Sequence, residues 1–364
     1  MDIKRDYVSI LINVLIIFLV FNIIVSLMAG SELSRKLDLK MEAAKPAQIS
    51  VIKISADCPD CFDLTSVINV IKSGNVNVTE EKEIKFDDAK EFIEKYKLDK
   101  LPTFLIKGDI GKLPMQGFEN ISDVLVFRNV MAPYFDVKDK QIEGLVKIKV
   151  ISVKSCDKCI DLSFIKLQLE KVGVKIDSYE TFDMDDKEAN DIIDQYKITK
   201  LPTMLVSKDF GVYDVVKAWS SIGIKSDDGS YLLTKAQPPY YDLTDKNVKG
   251  LVNLDVIYDE KCLECQDKSL QKTALKSLGI SFINENEYDV DSKEGRDLIK
   301  KYGITKLPAT VLSKEASAYE SLPQIWAQVG TIEGDGSYIL RKADLLGSYR
   351  DLITGEVVKK TEES

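Results

Sequence analysis

Apolar and polar positions alternate in blocks that announce their own structure. Val8 to Ala29 runs 22 residues without a charge, and at ~1.5 Å per residue a helix of that length reaches across about one bilayer core. This predicts a short tail over residues 1–7 and a transmembrane helix over 8–29. A cleaved signal peptide is the competing reading, because Lys4 and Arg5 precede the run and Ala29-Gly30 offers small residues; its apolar stretch exceeds the usual ~7 to 15 residues. Residues 30–47 are charged and helix-prone, ending near Pro46, and read as a stalk. Apolar runs rich in Val and Ile follow at Ile49 to Ile54, Val146 to Val153 and Leu251 to Tyr258, which predict buried strands. Behind each comes helical spacing, clearest at Leu162, Ile165 and Leu169. A second strand-like run then ends in Phe86-Asp87, Phe182-Asp183 and Tyr288-Asp289. Short helices KEFIEKY, KEANDIIDQY and KEGRDLIKKY and strand-like PTFLI, PTMLV and PATVL complete each block.

The blocks are one unit repeated three times. Boundaries fall before Gly144 and Gly250, giving domains 48–143, 144–249 and 250–356 and a tail over 357–364. Units of that length each bury their own core, unlike solenoid repeats. The segments Pro133-Tyr134-Phe135-Asp136 to Gly144 and Pro239-Tyr240-Tyr241-Asp242 to Gly250 repeat as well, and read as linkers. Units two and three share a tryptophan, Trp219 or Trp326, ahead of Asp228-Gly229 or Asp335-Gly336, a turn pair that suggests a hairpin. Unit one lacks this insert and has Phe118 near the tryptophan position. Asn77-Val78-Thr79 and Asn120-Ile121-Ser122 fit a glycan acceptor pattern.

Composition narrows the chemistry. A formal net charge of −9 with scattered Lys and Arg argues against nucleic acid as a partner. The chain has no histidine, which removes the usual general base and the commonest metal ligand. Only the six cysteines offer distinctive chemistry, and they occur as three CxxC pairs: Cys58/Cys61, Cys156/Cys159 and Cys262/Cys265. Each pair is followed 44 to 46 residues later by a Leu-Pro dipeptide, Leu101-Pro102, Leu201-Pro202 or Leu307-Pro308.

These residues resemble the thioredoxin superfamily. Tyr302-Gly303-Ile304-Thr305-Lys306-Leu307-Pro308-Ala309-Thr310 looks like that family's approach to its cis-proline loop, and Tyr196 to Thr203 and Tyr96 to Thr103 repeat it. The fold class implied is α/β, three tandem thioredoxin-like domains, each a central mixed sheet flanked by helices, behind one transmembrane helix. In plan this resembles protein disulfide isomerase. The resemblance implies cis-prolines at Pro102, Pro202 and Pro308, lying against their cysteine pairs. It also implies that Leu101, Leu201 and Leu307 offer backbone groups to an extended substrate strand. The chain departs from the family in its dipeptides, Pro59-Asp60, Asp157-Lys158 and Leu263-Glu264. It departs again where the buried acid six residues before the first cysteine is replaced by Ile52, Val150 and Val256.

A thiolate is the attacking species, and a helix N-terminus favours it. With each pair read at a strand-to-helix junction, Cys58, Cys156 and Cys262 would attack, and Cys61, Cys159 and Cys265 would resolve the mixed disulfide. Asp57, Asp60, Asp157, Glu260 and Glu264 disfavour a thiolate, while Lys154 and Lys158 make Cys156 the exception. Three blander readings stand beside exchange: structural disulfides, though closing so small a loop gains at most about 2 kcal/mol; a cysteine-ligated metal site shared between units; and a binding scaffold presenting Tyr134, Tyr240, Tyr241, Trp219 or Trp326. The expectation is a membrane-anchored thiol-disulfide oxidoreductase or isomerase. Its partners would be protein thiols or disulfides, the lipid bilayer through residues 8–29 and a redox partner protein, with no cofactor and no metal. The domains would lie outside the cytoplasm; orientation rests on the cysteines, because Arg35, Lys36, Lys40 and Lys45 after the span outnumber Lys4 and Arg5 before it.

Overall fold

A computed structural model describes residues 45–113 and 116–359, together with 18–25, 28, 32, 35–36 and 41. The first unit runs β1 (Ala47–Ser55), α1 (Thr65–Lys72), β2 (Val76–Lys85), α2 (Lys90–Tyr96), β3 (Lys100–Leu101), β4 (Thr103–Gly108), β5 (Phe118–Ile121), β6 (Val124–Phe127), β7 (Tyr134–Asp136) and β8 (Gln141–Glu143). Its main sheet has the order β2-β1-β4-β6-β5, with β1 parallel to β2 and antiparallel to β4. The apolar runs are continuous because both faces of the sheet are covered. Ile49, Val51, Phe104, Ile106, Leu125 and Phe127 face one core with Ile68 and Ile71 of α1. Ile54, Leu105, Val124 and Val126 face the other, with Tyr96 of α2. The period of two along each strand thus sorts one run into two cores.

Units two and three repeat this layout. Their first strands are Val146–Ser152 and Val252–Tyr258, and their sheets have the same order of five strands. The three predicted short helices occur as read, over Lys90–Tyr96, Lys187–Tyr196 and Lys293–Tyr302. Three thioredoxin-like α/β modules are therefore present. The chain divides into two compact units, Met1–Glu143 and Gly144–Ser364.

Several readings change. The segments read as linkers are strands: β7 pairs with β3 and β8. Tyr240–Asp242 pairs likewise with Lys200–Leu201 and Asn247–Lys249, and Tyr349–Asp351 with Lys306–Leu307 and Val357–Val358. Each module thus carries a second, three-stranded sheet. The Asp-Gly hairpins form as expected, with Gly229 at φ 88° and Gly336 at φ 86°. Unit one also has this hairpin, β5 to β6, turning on Ser122 and Asp123 at φ 52° and 60°; what it lacks is the tryptophan-bearing helical segment. Trp219 and Trp326 are buried at 4% and 3% exposure, so they belong to the core. Strand β1 begins at Ala47, which is fully buried, two residues before the predicted run.

Most of the predicted transmembrane helix, and of the stalk, lies outside the described residues. Residues 18–25 and 28 are helical, with exposed apolar side chains such as Phe18 and Phe21. Among the described residues no helix is long and apolar enough to cross a membrane.

Candidate functional site

Each cysteine pair lies in a tight turn just after the first strand of its module. Within the pair, Cys61 N–H donates to the Cys58 carbonyl at 3.3 Å, Cys159 to Cys156 at 3.2 Å and Cys265 to Cys262 at 3.3 Å. All three pairs are disulfides, with Cα separations of 5.3, 5.4 and 5.4 Å. The cysteines are partly exposed, and the two residues between them point to solvent, Leu263 being 93% exposed.

The junction differs from the expected one in an important respect. The helices start only at Thr65, Ser163 and Ser269, beyond the second cysteine, so the helix end does not meet the first cysteine. An aspartate takes that position in every module. Asp63 Oδ1 accepts the Thr65 N–H, Asp161 Oδ1 the Ser163 N–H and Asp267 Oδ1 the Ser269 N–H, each at 2.8 Å. A short carboxylate side chain matches the free N–H groups and partial positive charge of a helix start. The hydrogen bonds from Thr65 and Ser163 side chains, and from the Ser269 N–H, hold these carboxyls below the ordinary aspartate range.

Leu101-Pro102, Leu201-Pro202 and Leu307-Pro308 are cis peptides, as are Ala132-Pro133 and Pro238-Pro239. The leucines are completely buried. In module one Cys58, Cys61 and Pro102 line a single cavity of about 330 Å³. In module two Cys156 packs against the core that contains Leu201. In module three the buried Gln271, on the helix behind Cys262, donates from Nε2 to the Pro308 carbonyl at 2.9 Å and pairs through Oε1 with the Thr310 hydroxyl.

The residue before each proline is already engaged. Val137 N–H donates to the Asp99 carbonyl at 2.9 Å, and Leu101 stands opposite Phe135 in the same antiparallel ladder. Because hydrogen-bonded pairs alternate along such a ladder, Leu101 exchanges both backbone bonds with Phe135. Leu243 to Thr199 and Leu352 to Thr305 fix the same register for Leu201 with Tyr241 and Leu307 with Arg350. The docked strand also reaches the cysteine turn. Phe62 N–H donates to the Pro133 carbonyl at 2.7 Å, Ile160 to Pro239 at 3.3 Å and Gln266 to Ser348 at 2.7 Å. Each donor directly follows a second cysteine. We call this strand the strap.

Charge divides the three sites. Near Cys58, Ser55 Oγ donates to Glu83 Oε1 at 2.5 Å, and Lys53 and Lys85 approach Glu83 at 3.9 and 3.4 Å. The Ser55 hydrogen bond foremost holds the Glu83 carboxyl below its ordinary value. In module two Asp183 Oδ2 accepts the Lys154 N–H at 2.8 Å, two residues before Cys156. Asp289 does the same for Glu260 at 2.9 Å. In module three Glu264, one of the two acids counted against Cys262, pairs with Lys359 at 3.1 Å, and Asp259, an acid outside that count with a side chain 1% exposed, pairs with Arg350.

The helix-start aspartates, Gln271 and Arg350 escaped the sequence reading, and Asp183 was read only as the end of a strand. Two of these left signals. Asp recurs five residues after each first cysteine, and Gln271 stands where the repeat has Val67 and Ile165. Arg350 pairs with Asp259 across most of a module, beyond any local pattern.

No known family model matches the chain, and no curated protein does. Among solved structures it is similar to ERdj5 at 12% identity and a TM-score of 0.15, covering 79% of this chain and 39% of that one. It is also similar to human ERp44 at 13% identity and a TM-score of 0.13, covering 75% of this chain and 80% of that one. A third is an N-terminal domain of alkylhydroperoxide reductase AhpF from Enterococcus faecalis, at 13% identity and a TM-score of 0.16, covering 48% of this chain and 89% of that one. The chain thus spans about two fifths of the ERdj5 length. Strand order and the placement of each cysteine pair after the first strand carry the thioredoxin-like fold within the chain itself.

Proposed function

We propose that this chain is a membrane-anchored thiol-disulfide oxidoreductase or isomerase of protein thiols, with three exchange sites outside the cytoplasm. The observation that carries the reading is the repeated placement of a partly exposed cysteine pair at the end of the first strand, with Cys58, Cys61 and Pro102 sharing one cavity. Cys58, Cys156 and Cys262 attack, and Cys61, Cys159 and Cys265 resolve. A purely structural role is the weaker reading, because a disulfide closing so few residues contributes little loop entropy. Residues 8–29 supply the anchor, which holds several sites near one substrate and raises their effective concentration. Leu101-Pro102, Leu201-Pro202 and Leu307-Pro308 receive an extended substrate strand only once the strap has left them.

The test is to change Cys61, Cys159 and Cys265 singly to serine and isolate mixed disulfides with cellular proteins. Adducts at the partner cysteine support exchange; no adduct from any variant removes the proposal. Protease accessibility of the modules in sealed membranes checks the side they occupy.

A further inference from the structure

Module one has longer open sheet edges than its neighbours. Its main sheet ends at β2 on one side and β5 on the other, ten and four residues long, where the corresponding edge strands of modules two and three have eight and three. The excess in β2 lies at its start. The ladder to β1 skips one residue, Thr79, as the other modules skip Asp177 and Ile283. Strand β2 begins three residues before that bulge and its counterparts one before theirs, so Val76-Asn77 is an added overhang. Open edges of this kind invite pairing with another chain. The charges that guard β2, Glu80 to Glu83, come only after the overhang. The two Asn-X-Thr/Ser tripeptides of the chain fall on these two edges and nowhere else. Asn77 and Asn120 are both exposed, as the attachment of a bulky group requires. Each tripeptide ends where regular pairing breaks, Thr79 at the bulge and Ser122 in the hairpin turn at φ 52°. Asn77 Nδ2 donates to Gln48 Oε1 at 2.7 Å; the amide carries two N–H bonds, and substitution at nitrogen keeps one for this partner. Both asparagines lie clear of the cysteine turn. Asn77 stands eight residues before Lys85, which lines the cysteine cavity, ~26 Å along the strand. Strand β5 is separated from β1 by β4 and β6, ~14 Å across the sheet.

We propose that Asn77 and Asn120 are N-glycosylated and that the two glycans cover the open edges of module one. The inference rests on the placement outside the cytoplasm proposed above, since such acceptors are used in exported chains. The donor class is an oligosaccharide joined through its anomeric carbon to a lipid phosphate. The Asn Nδ2 bonds to that carbon, and the bond from carbon to phosphate oxygen breaks with its electron pair on the departing lipid phosphate. Nδ2 gives up one proton to the transferase. Nothing is oxidised or reduced, so the cysteine pairs are untouched. A bulky, solubilising group on each edge strand then stands where a second chain would add, and the cysteine cavity at the far end of β2 stays open.

The experiment translates the full chain in the presence of sealed microsomes competent for N-glycosylation and reads gel mobility with and without a glycosidase. The parent chain is expected to carry two glycans. Asn77→Gln and Asn120→Gln should each lose one, and so should Thr79→Ala and Ser122→Ala, which leave the asparagines in place; Thr79→Ser should keep both. A reporter variant, Lys197→Asn, separates the inference from the reading beneath it. Lys197 is exposed, has a left-handed φ of 53° and precedes Ile198-Thr199, and asparagine adopts that backbone readily. A glycan at the reporter site with none at Asn77 or Asn120 overturns the inference alone. No glycan on any chain, the reporter included, removes the placement outside the cytoplasm with it. The covering of the edges has its own readout: enzymatic removal of the glycans from the folded chain should raise its self-association in light scattering, and unchanged scattering strikes that role.

Discussion

The N–H of Phe62 donates to the carbonyl of Pro133 at 2.7 Å, so the residue after Cys61 is tied to a strand from the far end of its module. The same strand occupies the backbone of Leu101. One short segment therefore bridges the cysteine turn and the proline edge, and its pairing occupies the main-chain groups of Leu101.

That pairing can be weakened from a distance. Asp136 Oδ1 accepts the Lys138 and Asp139 N–H groups, each at 2.8 Å, and so builds the turn between β7 and β8. Asp136→Ala leaves two N–H groups of that turn without their shared acceptor, at a cost of about 1 kcal/mol. Amide exchange of Phe62 and Leu101 should then quicken by about fivefold, with the exchange of β1 unaltered. Hydrogen-exchange mass spectrometry reads both; unchanged protection at Leu101 would show that the strap does not open as a unit.

The aspartates at the helix starts act on the fold. Asp161→Ala removes the acceptor for Ser163 N–H and should destabilise module two by about 1 kcal/mol, the usual loss of a helix-start side chain. Denaturant unfolding measures it, with Asp161→Asn retaining most of the stability. A helix start relying on the cysteine turn instead would leave both variants equal to the parent.

How much of this could be read from the chain depends on the range of each interaction. The β1 run declared itself because both of its faces are buried, and Lys293–Tyr302 because its helical period is strong. The turn after Cys58 was misread because a helix start is set by one side-chain bond, here Asp63 to Thr65, and the apolar pattern is silent about where that bond forms. The strap was misread because β7 is three residues long and its pairing with Lys100–Leu101 depends on chain folding. Gly223 and Gly330 were invisible for a related reason. A Cβ at Gly330 would lie 2.1 Å from the Ile339 carbonyl oxygen and 2.7 Å from Trp326 Nε1, a demand made by neighbours and not by backbone angles.

The charge around Cys262 illustrates the same limit and can be tested. Counting Glu260 and Glu264 gave a repelling environment, whereas Lys359 meets Glu264, and Arg350 meets Asp259, a buried acid outside that count. Arg350→Gln leaves a buried carboxylate without its cation, and since the guanidinium is partly exposed the loss should be about 2 kcal/mol, below that of a fully buried pair. The Asp259→Asn, Arg350→Gln pair should recover part of it, as coupled neighbours do. Additive losses in denaturant unfolding would mean that the two residues do not support each other.

Acid should loosen the second site from a known direction. The Lys154 N–H foremost, aided by that of Asp185, holds the Asp183 carboxyl below the ordinary value of 3.8. A carboxyl whose folded value lies below its unfolded one adds stability at pH above the unfolded value and loses it as pH falls through the folded one. The turn ahead of Cys156 is therefore held from neutral pH down to about pH 4 and released below it. Asp183→Asn keeps an oxygen acceptor for Lys154 but cannot titrate. Its unfolding free energy should fall less steeply than the parent's between about pH 4 and pH 2. Because Lys154 stands two residues before Cys156, the parent's Cys156–Cys159 pair should also become more accessible to an acid-active phosphine reductant over that window, and the variant's should not. Parallel pH profiles for parent and variant would place the acid sensitivity of module two elsewhere than in the Asp183 carboxylate.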